Sequence, residues 1–318
     1  MWRAAFATSF LCILLPARLV GADDRGWGYL IDKLSNDGLP PEEVVGAFAA
    51  PRMPPFTGLD FSPYPPRERA ALYRRFLRES SVALARRCRR LHADAFEAAT
   101  RSSAVPASLL AAILYVETGC GRNTGSHPIL YRLARLAMAN EPGNLRRNLA
   151  RYAKRDGTLD AATALRVRAR ARYLEDRFYP EVRATFAVAR RMGVSPLDIR
   201  GSLSGAFGYP QFLPTSYLRY GTDGNQDGRV SLYDTADSAA SAAHYLVAYG
   251  WRSGLTPTQR RQVIWQYNRS DPYIDTVLTL AARIDGAPAR GTRKRNRRIL
   301  VATESRPRSV ARGHHKGH

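Results

Sequence analysis

Asp223-Gly224-Asn225-Gln226-Asp227-Gly228-Arg229-Val230-Ser231-Leu232-Tyr233-Asp234 carries oxygen-bearing side chains at loop positions 1, 3 and 5, a glycine at 6 and an acid at 12. Alternate residues of such a loop turn their oxygens inward, and the glycine permits the sharp bend. This is the spacing of a calcium-binding loop. Position 12 usually holds a bidentate glutamate. Here it holds Asp234, with Asp237 three residues on. The plainer alternative is a solvated Asp/Asn/Gly turn with no metal.

Working outward, 205–214 reads as loop, too rich in glycine and proline for a regular element. A helix over 237–249 leaves the calcium loop, and Pro257 and Pro272 open two more, near 258–267 and 272–284. Upstream, 67–100 has helical apolar spacing at Leu72, Phe76, Val82, Leu84, Leu91 and Phe96. Pro106 starts a helix whose Leu109, Leu110, Ile113, Leu114 and Val116 make it apolar nearly all round, hence buried, with Gly119 and Gly121 ending it. Residues 129–192 read as helical and very basic, and 23–66 as short helices among proline-rich turns. With no internal repeat and no alternating pattern, the fold class is mainly α.

The chain has 318 residues and a formal net charge of +22, most of it arginine. Length allows a large core. Charge implies attraction to anionic polymers or surfaces. Residues 1–22 read as a secretory signal: Arg3, an apolar stretch over 4–15, and Val20-Gly21-Ala22 as cleavage site. Pro16 and Arg18 end the run too early to span a bilayer, and Leu11 before Cys12 does not suit a lipoprotein site. The expected location is therefore exported, periplasmic. In an oxidising compartment Cys88 and Cys120 either pair or remain two buried thiols. The segment 286–318 is a basic tail of few apolar residues, expected to be disordered. It is either a contact for anionic wall or membrane surface, or an inert solvated extension. Nucleic acid is not expected as a partner of an exported chain, and a monomer is expected.

Glu117 is the leading chemical candidate. A carboxyl group at the end of an apolar helix is expected to resist ionisation, because desolvation penalises the charge. A proton donor needs that state. Pairing with an arginine, or capping a neighbouring helix, is the structural alternative. The sequence carries no zinc-protease helix, phosphate-cradling glycine loop or nucleophile elbow.

Val116-Glu117-Thr118-Gly119-Cys120-Gly121-Arg122-Asn123-Thr124-Gly125 resembles the catalytic motif of the lytic murein transglycosylase B family (glycoside hydrolase family 103). Residues 201–217 resemble that family's second motif, 223–251 its calcium loop and following helix, and Tyr267-Asn268-Arg269-Ser270 with Tyr273 and Val277 its last motif. Four blocks in order span about 105–280. The resemblance implies a lysozyme-like transglycosylase fold with an EF-hand-like calcium loop, divided as an N-terminal helical region (23–100) and a catalytic core (101–285). It implies peptidoglycan glycan strands as partner and 1,6-anhydromuramic acid ends as product. Glu117 would be catalytic. Ser202, Gln211, Tyr245, Tyr267 and Asn268 would bind substrate, although Tyr245 and Tyr267 on their own read as core. Asp223, Asn225, Asp227, the carbonyl of Arg229, and Asp237 would hold a structural calcium ion over 223–237, leaving Asp234 to cap the next helix.

The chain departs from the family where Cys120 replaces a residue that is usually aromatic, where 146–172 adds a basic stretch, and where 251–263 is short. Outside the calcium loop, no second acid stands in the four motifs. That fits a transglycosylase better than a two-carboxylate hydrolase. A lysozyme-type hydrolase and a non-catalytic murein-binding scaffold are the rival readings.

Overall fold

The computed structural model describes residues 24–64 and 69–286; the expected signal segment and basic tail lie outside them. The described chain is helical, with α1 (Gly28–Asn36), α2 (Pro41–Ala49), α3 (Glu79–Leu91), α4 (Ala93–Ser103) and α5 (Ala107–Thr118) in its first part. There follow β1 (His127–Pro128), α6 (Ile129–Ala137), α7 (Pro142–Asp156), α8 (Ala161–Met192), β2 (Arg200–Gly201) and α9 (Pro214–Tyr220). The last three helices are α10 (Thr235–Ala248), α11 (Pro257–Tyr267) and α12 (Asp271–Ile284). No single described helix is long and apolar enough to cross a membrane.

The helix α5 is the centre of one core. Eleven of its twelve residues are buried. Val82, Ala85, Phe96 and Ala99 from α3 and α4 cover it on one side, and Ala239, Ala242, Leu246, Tyr273, Val277 and Leu280 from α10 and α12 on others. This packing crosses position 100 without a break. A second core joins Trp27, Leu30, Phe48 and Met53 to α6, α8 and the loop residues Phe207 and Phe212. Tyr245 extends α10 into it.

Several buried polar side chains of this framework are well matched. Glu175 of α8 is buried and accepts from Tyr29, Lys33 and Asn140. Burial works to raise its carboxyl, but the three donors outweigh burial and hold it below the usual range. Asn144 and Asn148 of α7, both fully buried, bond the backbone of Leu59 and Phe61 and so carry the extended 57–61 segment along the helix. Helix starts follow the capping chemistry of the sequence. Asp234 accepts from the amides of Ala236 and Asp237, and Thr256 and Gln259 form a reciprocal capping box with Pro257 at the first helical position.

Two expectations change. Within the stretch expected to be helical from 67 on, the described residues 69–78 are not α-helix but two 3₁₀ turns, Ala70–Leu72 and Arg74–Leu77. Leu72, Leu84 and Leu91, taken as part of an apolar face, are exposed; the face that meets α5 is Val82, Ala85 and Cys88. The shorter Ala85 and Cys88 let α3 approach α5 closely, leaving the leucines outside.

Cys88 and Cys120 form a disulfide that joins α3 to the turn after α5. It closes 32 residues, and chain-entropy arguments put such a loop at about 4 kcal/mol. The double variant Cys88→Ser/Cys120→Ser is expected to lose about 2–4 kcal/mol in urea unfolding, and dithiothreitol to produce the same loss in the parent but none in the variant.

Candidate active site

Glu117 is the one residue of α5 that is not buried. It stands where the helix emerges from the core, and two adjoining recesses of about 320 and 360 Å³ share it together with Arg75, Phe76 and Val116. Leu72, Tyr73, Asn268 and Tyr273 complete the first recess; Arg122 and Asn123 lie in the second.

The helix closes tightly behind Glu117. Amides of Gly119 and Cys120 donate to the carbonyls of Tyr115 and Leu114. Thr118 is buried, and its hydroxyl donates to the Tyr209 carbonyl at 3.1 Å while accepting from the Gly121 amide at 2.9 Å. Gly121 has φ +80, and a Cβ there would fall 2.2 Å from the Tyr209 ring. A Cβ on Gly125 would fall 2.2 Å from the Gly201 carbonyl oxygen. At both places only glycine lets the turn after Glu117 lie against the 201–214 loop. The β1–β2 pair, His127 opposite Gly201, continues that contact.

Tyr273 donates from its hydroxyl to Glu117 Oε1 at 2.7 Å. Burial, followed by the neighbouring Glu117 charge, raises Tyr273 well above the ordinary tyrosine range. The same two causes raise Tyr267. Both therefore stay neutral phenols, and Tyr273 is a permanent donor. A hydrogen bond donated to a carboxylate favours its charged form, opposing the effect of burial. The Tyr267 ring is stacked on Tyr273, 6.5 Å between centroids and 8° between planes.

The other expected site residues separate by position. Asn268 shares the recess with Glu117. Tyr267 lies behind Tyr273 and donates to the Pro210 carbonyl at 2.6 Å. Tyr245 is buried away from the recess, packed against Tyr220, Tyr249 and Tyr267, with its hydroxyl on the Gln266 carbonyl. Gln211 donates to the carbonyls of Thr124 and Gly208 and thereby ties the turn after Glu117 to the second motif. Ser202 Oγ accepts from the Ala206 amide within a tight turn. Sequence reasoning gave no role to Tyr273 and named nothing in the N-terminal region. Tyr273 had a usable signal: Ser270 caps α12 by accepting from the Tyr273 amide, which puts that tyrosine in the first turn of a helix. Tyr73, Arg75 and Phe76, carried by the 3₁₀ turns, had none.

The 223–237 loop is built around its acids. Asp223 accepts from the amides of Asp227 and Gly228, Asn225 from Asp227, and Asp227 from Arg229. Asp237 is buried and accepts from Gly224 and Ser231, bridging the two ends of the loop. Burial is the main influence on its carboxyl and raises it. The donor set is wholly oxygen and suits a hard cation such as calcium. In this structure those oxygens are turned to the loop's own amides. Among the described residues no three His, Cys, Asp or Glu side chains gather as a metal cluster.

Known proteins resemble this chain in sequence and in fold. The family profile described as Transglycosylase SLT domain matches residues 24–260. Membrane-bound lytic murein transglycosylase B of Escherichia coli (strain K12) is 33% identical over 161 residues, 51% of this chain and 36% of that protein. The chain thus spans about a third of that relative's length. The structure of Escherichia coli lytic transglycosylase SLT35 in complex with calcium superposes with TM-score 0.60 at 20% identity, over 82% of this chain and 92% of that one. SltB3 from Pseudomonas aeruginosa in complex with NAG-NAM-pentapeptide gives TM-score 0.59 at 17% identity, over 82% of this chain and 79% of that one. At such identities the structural likeness establishes the helical fold.

Tyr273→Phe removes the donor at Glu117 Oε1 and keeps the ring stack. It is expected to fold, at a cost of about 1–3 kcal/mol, and its Glu117 carboxyl to titrate at higher pH than in the parent, as read by carbon NMR of the labelled side chain.

Proposed function

The chain belongs to the Transglycosylase SLT domain family, and from that premise we propose that it is an exported lytic transglycosylase of peptidoglycan. It cleaves the β-1,4 bond from N-acetylmuramic acid to N-acetylglucosamine and leaves 1,6-anhydromuramic acid ends. The observation that carries this reading is that Glu117 is the sole carboxylate among the described residues lining the two recesses. A hydrolase of the usual kind needs a second one across the scissile bond. The named ligands and activities of the relatives point the same way.

Glu117 first gives its proton to the leaving glycosidic oxygen as the C1–O bond breaks. The substrate's own acetamido oxygen supports the cationic carbon. The Glu117 carboxylate then takes the proton of the C6 hydroxyl while that oxygen bonds to C1. Atoms balance without water: one proton leaves Glu117 and one returns. Tyr273 holds the carboxyl group in place through both transfers, and its phenol keeps its own proton. Asn268 offers an amide suited to an acetamido group, and Tyr73 and Phe76 offer ring faces to the sugar. Ser202 and Gln211 contribute by fixing the loop against which the turn after Glu117 rests. The Cys88–Cys120 disulfide supports export, since such bonds persist in oxidising compartments.

Glu117→Gln is expected to lower digestion of purified sacculi at least about a hundredfold, with mass spectrometry of the wild-type products giving anhydro ends. Reducing ends would replace this reading with the hydrolase. Sacculi bound but never cut by the wild type would replace it with a scaffold.

The loop is proposed to take one structural calcium ion through Asp223, Asn225, Asp227, the Arg229 carbonyl and Asp237, pinning the wall beside the Gly208–Gln211 turn. Calorimetric titration of chelator-stripped protein is expected to show uptake of one ion with a rise in melting temperature, and Asp237→Ala to lose both. A flat titration rejects the site.

A further inference from the structure

A third recess, of about 330 Å³, lies beside the Cys88–Cys120 disulfide and has no part in the chemistry above. It adjoins the cleft, because its wall of Tyr115, Gly119 and Arg122 is also the wall of the second recess around Glu117. Its apolar surface comes from the disulfide, from Tyr115 and from Leu84 and Leu91 of α3, which are 39% and 66% exposed. Its cations are Arg87 and Arg122, with His92 beside them, and no carboxylate lines it. Arg122 is held in position: Nε donates to the Gly119 carbonyl at 3.0 Å, and the guanidinium sits 5.8 Å from the centre of the Tyr115 ring. One fixed cation therefore stands on the boundary between the two recesses, and a second, Arg87, stands exposed on α3.

Bare sugar is neutral and rich in hydroxyls, and two guanidinium groups over an apolar floor do not match it. A short chain bearing carboxylates and small alkyl groups does match. Guanidinium takes carboxylate in a bidentate, charge-assisted pair, and the exposed leucines shield alkyl groups from water. Resting on the reading of the Glu117 cleft as a murein site, we propose that this recess binds the acidic peptide stem of the strand, with its carboxylates on Arg87 and Arg122. The cleft would then read the glycan and the neighbouring recess the peptide. Cys120, which departs from the related motif, contributes to this specificity by exchanging an aromatic side for a disulfide floor.

Calorimetry with two ligands tests it: N-acetylglucosaminyl-N-acetylmuramyl-pentapeptide and the same disaccharide without peptide. Wild type is expected to bind the peptide-bearing ligand about tenfold more tightly. Arg87→Glu is expected to lose most of that advantage with the peptide-free affinity unchanged. Leu91→Ser, also on the exposed face of α3, is expected to reduce the advantage in the same direction. Equal affinity of wild type for the two ligands overturns the stem assignment and leaves the glycan reading standing, as does an Arg87→Glu effect that is equal on both or absent. Binding of neither ligand by wild type overturns the glycan reading itself.

Discussion

An apolar helix that runs through the middle of a core can meet water only at its ends, and α5 meets it through one side chain. With eleven of twelve residues buried, every neighbour of α5 is fixed by the need to cover it. Glu117 is the exception because the covering helices part there. A carboxyl group so placed has a rigid base, since shifting it would move an entire packed helix and expose apolar surface at about 25 cal/mol per Å². The loops need do little to fix Glu117, because the helix already holds it.

Behind the recesses, several segments of the chain are joined at a single turn. Tyr209 accepts from Thr118 and donates to Leu232, Pro210 accepts from Tyr267, and Gln211 donates to Thr124. The end of α5, the turn that follows it, the acidic loop and the end of α11 are thus bonded to three consecutive residues, 209–211. Gly208 has φ +72, and a Cβ there would fall 2.3 Å from that of Leu232. The acidic loop therefore influences the cleft through backbone contact two steps removed from Glu117.

Aromatic side chains fill the space between the turn and the cleft. Tyr245, Tyr267 and Tyr273 form a continuous row of rings that ends at the recess, each hydroxyl with its own acceptor. In this setting Tyr273 keeps its phenolic proton and offers it to Glu117 Oε1. The arrangement separates a supporting role, for Tyr245 and Tyr267, from direct contact with Glu117, for Tyr273.

Much of the helix inventory and the leading residue of the site were legible in the sequence. The run from Leu109 to Val116 is apolar on all sides, so it had to be buried. Gly119 had to end it, and Glu117 had to lie at its exit. Asp234 as a cap and Pro257 as a first helical residue follow from short-range chemistry of the same kind. Periodicity tells which residues share a face but not which face finds a partner, so Leu84 and Leu91 read as core while Ala85 and Cys88 took that place. The Tyr273 hydroxyl on Glu117 spans 156 residues, and the disulfide 32. Contacts at such separations depend on how α3, α5 and α12 pack together, and no local preference in the chain encodes that packing.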